Sequence, residues 1–241
     1  MKAMVFAAGL GSRLRPLTDT MPKALVPING IPLLEHVLLK IKQTGIQEVV
    51  VNVHHFSQQI IDFLSSKQNF GISIQISDES NELLETGGGL RKALTLLGED
   101  EPILLHNVDI LSNLNLTDLI TTHHSNDGAT LVVSERNTSR YLLFDEEMAL
   151  AGWHNVKTNE LRPASVNLES LRPLAFSGIQ IVSPGVLPYM ADMPVRFSII
   201  DFYLKIMNTL PIRAYIPSDY RMIDVGKIDT LHTAEEFIQT L

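Results

Sequence analysis

The residues best suited to chemistry cluster near the start of the chain. Gly9-Leu10-Gly11-Ser12-Arg13 follows a short apolar run, and Pro22-Lys23 closes the same segment. Glycines directly after a strand let the backbone approach an anion with its N–H groups free to donate. Arg13 and Lys23 add two fixed positive charges, so the segment suits a polyphosphate. Two better-known phosphate motifs do not fit. A dinucleotide fingerprint needs a third glycine where Leu14 stands. A Walker loop needs Gly-Lys-Ser/Thr, whereas Gly226-Lys227 is followed by Ile228 and lacks the upstream glycine. Two aspartates also stand out, Asp109 and Asp224, far apart in sequence but each placed after an apolar run. Taken singly, an Asp in such a place caps a turn.

The elements that must position these residues follow from hydrophobic patterning. Ala3 to Ala8 reads as a buried strand, and residues 9–30, rich in Gly, Pro and Thr, read as a long loop. Leu33, Leu34, Val37, Leu38 and Ile41 keep a helical period that Gly45 ends. Glu48–Val53 is a second strand, Gln58–Leu64 a helix, Ile72–Ile76 a third strand and Ile103–Leu105 a fourth. The triplet Gly87-Gly88-Gly89 is expected to form a turn ahead of a helix ending near Leu97. Strand and helix alternating at this spacing predict an α/β fold: a single Rossmann-like domain with a mixed, mostly parallel sheet and helices on both faces. Ligands of such sheets sit at the carboxyl ends of the strands, where both the first loop and Asp109 fall. In the second half, Ala129–Ser134 and Phe176–Val182 are strands. Tyr141–Phe144 and Ala149–His154 form a hairpin, Ile199–Leu210 is a helix, and Asp229–Thr240 is a helix capped by Asp229.

The loop, with Pro16-Leu17-Thr18 and Pro22-Lys23-Ala24-Leu25-Val26-Pro27, resembles the signature of sugar-1-phosphate nucleotidyltransferases. Glu85-Thr86-Gly87-Gly88-Gly89 resembles that family's base-binding turn. Asn107-Val108-Asp109 stands where the family has a Gly-Asp pair, Phe176-Ser177-Gly178 resembles a sugar-side segment, and Ile223-Asp224-Val225-Gly226 resembles the late Asp-x-Gly element. The overall pattern is most similar to the N-acetylmuramate-1-phosphate uridylyltransferase type, with mannose-1-phosphate guanylyltransferases near behind.

The resemblance implies that a sugar 1-phosphate attacks the α-phosphate of a nucleoside triphosphate and that pyrophosphate leaves. It implies nucleotide contacts from Ala8, Gly9, Gly11, Ser12, Arg13, Glu85, Gly87 and Gly88, and sugar contacts from Asn107, Ser177 and Gly178. Arg13 and Lys23 would be catalytic, and Asp109 and Asp224 would hold Mg²⁺. UTP with an N-acetylated sugar 1-phosphate is the expected pair. The alternatives are GTP with mannose or heptose 1-phosphate, a catalytically inactive nucleotide-binding regulator on the same fold, and a phosphocholine cytidylyltransferase. Residues 1–125 are assigned to the nucleotide and 126–241 to the sugar. The sequence departs from the family at Val108, which replaces a glycine, and in lacking the Glu-Lys-Pro segment whose Lys holds the sugar phosphate. Arg140, Lys157 and Arg162 are the basic residues near that place.

Composition agrees with a soluble enzyme. The chain has 241 residues, 45% hydrophobic and 19% charged, enough for a sizeable core. With no cysteine, disulfides, Cys-ligated metal sites and a Cys nucleophile are excluded. A formal charge of -8 argues against nucleic acid as a partner. No apolar run reaches membrane-spanning length, and Met1–Ala8 reads as a strand rather than a signal peptide. A cytoplasmic monomer or small homo-oligomer is expected, without a β-helix acetyltransferase domain. His54-His55 and His123-His124 lack the i, i+4 spacing of a helical zinc site, and Trp153 is expected to pack in its hairpin.

Overall fold

The structure, a computed structural model, describes residues 1–241. Its first strand, β1 (Lys2–Phe6), is apolar on both faces: Ala3 and Val5 face one core cluster, Met4 and Phe6 the other. A strand buried on both sides belongs in the middle of a sheet. The loop after it contains three short 3₁₀ turns and a two-residue hairpin, β2 (Pro27–Ile28) with β3 (Ile31–Pro32). The chain then runs through α1 (Leu33–Gln43), β4 (Glu48–Val53), α2 (Ser57–Ser66), β5 (Ser73–Asp78), α3 (Glu85–Leu97) and β6 (Ile103–Asn107). β5, β4, β1 and β6 lie side by side in parallel.

The second half comprises β7 (Ile110–Ser112), α4 (Leu116–Thr122), β8 (Ala129–Ser134), β9 (Arg140–Phe144), β10 (Leu150–Asn155) and β11 (Glu160–Arg162). It ends with β12 (Arg172–Val182), α5 (Ile199–Ile206), β13 (Ile212–Tyr215), β14 (Met222–Asp224) and α6 (Asp229–Ile238). The long strand β12 joins the halves. Its C-terminal part runs antiparallel to β6, its start pairs with β9, and a register shift between Phe176 and Gln180 interrupts its ladder with β8. The result is one ten-stranded mixed sheet. α1, α2, α4 and α6 supply residues to the cluster on one face, and α3 and α5 to the cluster on the other. No helix is long and apolar enough to cross a membrane.

The structure departs from the sequence reading in three places. The glycine triplet is not a turn: it lies inside the first two turns of α3. Glycine is needed there because α3 packs against the segment before α5. A Cβ on Gly87 would sit 2.3 Å from the Phe197 ring, and one on Gly88 2.6 Å from the Val195 carbonyl. Asp229 does not cap α6. Ile228 holds the cap position without a side-chain bond, and Asp229 contributes only negative charge to the first turn. The helix predicted over Ile199–Leu210 stops at Ile206, where Thr209 and Leu210 both donate their N–H groups to the Ile206 carbonyl. The expected hairpin is present as β9–β10, with Trp153 under the Arg162 guanidinium, 4.8 Å from its ring centre.

Gly87→Ala forces the Phe197 ring and backbone apart and is expected to cost about 1–3 kcal/mol, the usual range for overpacking. Gly185→Ala, where a Cβ meets nothing within 4 Å, is expected to change stability by less than about 0.5 kcal/mol. Denaturant unfolding of the two variants beside the wild type checks both values.

Candidate functional site

A cavity of about 500 Å³ opens at the carboxyl ends of β1, β4 and β6. Its walls come from the first loop (Ala8, Gly9, Gly11, Ser12, Arg13 and Lys23), from Asn52 near the end of β4 and Glu79 just after β5, from Glu85 and Thr86 opening α3, and from Asn107 ending β6 and Asp109 beyond it. Gly226 closes it from the late segment.

The loop is shaped by Gly11, at φ +63°. A Cβ there would lie 2.8 Å from Thr18 Cγ2 and 3.1 Å from Lys23 Cβ. The Thr18 hydroxyl donates to the Gly11 carbonyl at 2.8 Å, folding the loop back on itself. This delivers Lys23, buried apart from the tip of its side chain, onto the Asp109 carboxylate as an ion pair. Gly9 carries no such demand, because a Cβ there meets nothing within 4 Å.

A feature invisible to strand patterning joins the two aspartates. β7, directly after Asp109, pairs antiparallel with β14, which ends at Asp224. Val225 N–H donates to the Asp109 carbonyl at 2.9 Å. The short ribbon sets the two carboxylates side by side. Asp224 is partly open to solvent, yet the packing around it raises its pKa, and the negative charge of Asp109 raises it further. Lys23, Arg13 and Arg136 pull in the opposite direction. Arg13 reaches this corner because Gly226 has no side chain: a Cβ there would meet Asp224 Oδ1 at 2.8 Å and Arg13 Nη2 at 2.9 Å. The arrangement thus concentrates two carboxylates and two cations on one wall. Asp109 and Asp224 are the oxygen donors available to a hard cation. No group of three or more His, Cys, Asp or Glu side chains converges as a metal cage.

Val108 occupies the position of the missing glycine without strain. Its backbone is not left-handed, its side chain is buried, and its N–H donates to the Phe6 carbonyl at 3.1 Å. Gly178 (φ +74°) leaves room for the Asn107 side chain, whose Nδ2 lies 2.6 Å from where a Cβ would be. Ser177 is buried beside it, with its hydroxyl near that of Tyr220.

Gly87 and Gly88 lie outside the cavity. Their N–H groups both donate to the Phe197 carbonyl, at 2.9 and 3.2 Å, so they have no donor to offer a base edge. Glu85 lines the cavity and pairs with Arg196 at 2.8 Å. Of the basic residues named for the sugar phosphate, Arg162 is engaged by Glu160 at 2.7 Å and Asp201 at 2.9 Å, and Lys157 is exposed.

Sequence reasoning missed Asn52 and Glu79. Asn52 Oδ1 accepts the N–H groups of Ala7 and Ala8 at 2.7 and 3.3 Å, while its Nδ2 donates to Glu79 Oε1 at 2.7 Å. Glu79 Oε2 accepts the Leu84 N–H at 3.1 Å, tying the start of the loop to the start of α3. The available signal was one polar residue inside the apolar run Val49–Val53. The histidine pairs serve structure: His54 bonds the Glu79 carbonyl, and His123 bonds Thr130 and Ser183.

Residues 2–149 match the Nucleotidyl transferase family, and the chain belongs to that family. It is 43% identical over 125 residues to the N-acetylmuramate alpha-1-phosphate uridylyltransferase of Neisseria meningitidis, a match spanning 52% of this chain and 54% of that protein. It is 32% identical over 213 residues to the enzyme of the same name from Caulobacter vibrioides, covering 85% of this chain and 83% of the relative. A putative glucose-1-phosphate thymidylyltransferase from Bacillus anthracis superposes with a TM-score of 0.84 at 18% identity, over 100% of this chain and 96% of that one, and so shares the fold.

Asn52→Ala leaves the Ala7 N–H and Glu79 Oε1 unpaired in the interior and is expected to cost about 3 kcal/mol. A fall in the denaturation midpoint with an unchanged slope would show this.

Proposed function

We propose that the chain transfers a nucleotidyl group from a nucleoside triphosphate to a sugar 1-phosphate, making an NDP-sugar, with UTP and N-acetylmuramate 1-phosphate as its substrates. The observation that carries the reading is the β7–β14 ribbon, which sets Asp109 beside Asp224 opposite a loop that supplies Lys23 and Arg13. The uridylyltransferase names of the Neisseria and Caulobacter relatives support the choice of substrates. Relatives named mannose-1-phosphate guanyltransferase, at 32% identity over 145 residues in the Gibberella zeae protein, keep GTP with mannose 1-phosphate as the second reading.

In the reaction, an oxygen of the sugar 1-phosphate attacks the α-phosphorus, the bond from that phosphorus to the bridging oxygen breaks, and pyrophosphate leaves. The attacking phosphate is already ionised, so no general base is required, and positioning with charge neutralisation supplies the rate. Arg13, held against Gly226, faces the leaving phosphates. Lys23 neutralises the reacting phosphates and holds Asp109 in place. Backbone of the Gly9–Ser12 loop carries the polyphosphate, and Asn107, Ser177 and Gly178 form the sugar side. Within the single sheet, residues up to about 125 hold the nucleotide and the remainder the sugar. Asp109 and Asp224 would hold Mg²⁺: burial and the charge of Asp109 both raise the pKa of Asp224, and a bound hard cation would favour the ionised carboxylates. When bound, that ion supplies Lewis-acid neutralisation of phosphate oxygens.

Asp109→Asn and Asp224→Asn are each expected to lower turnover by about 10²–10³-fold, the scale of losing one preorganised charge contact, with the fold retained. Arg13→Ala is expected to lower kcat more than it raises KM, because its contact strengthens as charge builds on pyrophosphate. Pyrophosphate release, assayed over four nucleoside triphosphates against several sugar 1-phosphates, checks both. Near-normal turnover in both aspartate variants removes the reading, and wild-type preference for GTP with mannose 1-phosphate replaces the substrates while keeping the reaction.

A further inference from the structure

A second cleft of about 480 Å³, lined in part by Phe176, shares no lining residue with the nucleotide cavity. Strand register explains its floor. Arg140 is opposite Asn155, and Leu142 is opposite Trp153, which is in turn opposite Arg162, so alternate residues of β9, β10 and β11 share one face. Arg136 and Phe176 also line the cleft.

The charges in this cleft do not cancel. Arg162 is saturated by Glu160 and Asp201 and stacks on Trp153. Arg136 gives one N–H to the Phe176 carbonyl at 2.9 Å and pairs with no carboxylate. Arg140 pairs with none either, although the chain as a whole carries a formal charge of -8. With both carboxylates of the cleft engaged by Arg162, Arg136 and Arg140 are the two guanidinium groups there that an added anion could meet. Arg136 also adjoins the reaction centre, since its charge is felt at both Asp224 and Tyr220.

A sugar 1-phosphate brings its anomeric phosphate to Lys23 and the aspartate pair. A second anion-binding place beside it therefore suits a substituent elsewhere on the ring. Arginine suits a carboxylate, because its planar donor fork matches the two oxygens. N-acetylmuramate carries such a group in its lactyl ether, whereas N-acetylglucosamine is the same sugar without it. We propose that Arg136 and Arg140 form a carboxylate subsite that selects a sugar 1-phosphate bearing an acidic ring substituent over its neutral counterpart. The inference rests on the reaction proposed above. It names the residues that decide specificity at a place where the Glu-Lys-Pro segment of other family members is missing.

The test is steady-state pyrophosphate release with UTP and either N-acetylmuramate 1-phosphate or N-acetylglucosamine 1-phosphate, using wild type, Arg136→Gln and Arg140→Gln. Both arginines are exposed, so the variants retain the fold. Wild type is expected to favour the acidic sugar by at least about tenfold in kcat/KM, the range of a charge-assisted bidentate contact. Each variant is expected to lose most of that preference through a raised KM for the acidic sugar; Arg140→Gln is expected to change the neutral sugar by less than about twofold, whereas Arg136→Gln, whose charge also reaches Asp224, is read by the preference alone. An equal loss on both sugars would make these residues anomeric-phosphate clamps and overturn the subsite. An unchanged preference would make them ordinary surface charges and overturn it as well. If wild type releases pyrophosphate from no pairing of nucleotide and sugar, the underlying reaction fails and the subsite fails with it. Release from wild type without any preference for the acidic sugar overturns the subsite alone.

Discussion

Two carboxylates of like charge, held side by side, set the terms for the rest of this structure. Left to themselves, Asp109 and Asp224 repel, and the raised pKa of Asp224 registers both its surroundings and that repulsion. Three devices keep the pair together. The β7–β14 ladder and the Val225 N–H bond fix the backbones. The Lys23 ammonium lies against Asp109. Arg13 approaches Asp224 across the space left by Gly226. In the proposed reaction the same crowding gives a cation and an anionic substrate their hold, since each relieves a charge imbalance already present in the protein.

The scaffold serves this corner by fixing loop ends. Strands buried on both faces cannot slip without exposing one core cluster, so the carboxyl ends of β1, β4 and β6 are rigid platforms. Asn52 then ties the start of the glycine-rich loop to Glu79, and Glu79 to the entry of α3. Close approach is bought with small residues at the contacts themselves: Gly11 under Thr18 and Lys23, Gly87 under Phe197, Gly178 beside Asn107.

Much of this was legible in the chain before any coordinates. The buried strands announce themselves as apolar runs, and the hairpin across Asp145–Glu147 follows from alternation and a polar turn. Arg13 and Lys23 come from residue type and place along the chain, Asp109 and Asp224 as a pair from the family resemblance; Arg13, Lys23 and Asp109 line the cavity, and Asp224 stands close to Arg13 across Gly226. What failed to show has a common cause. β7 and β14 are three residues each, too short for any period, and their pairing joins positions more than one hundred residues apart. The glycine triplet was misread because propensity disfavours glycine in helices, whereas packing against Phe197 requires it. Arg136 carries no local signal, and its significance depends on β12 running past β8 and β9 at once.

The central claim is that Asp109 and Asp224 act as one centre, and a double-mutant cycle tests it most directly. Single-turnover rates of pyrophosphate formation would be compared for wild type, Asp109→Asn, Asp224→Asn and the double variant. If the two carboxylates share one task, the double variant is no slower than the slower single variant, because the first loss already removes the function. Effects that multiply, so that the double variant falls by the product of the two single losses, would show two independent sites and contradict the account.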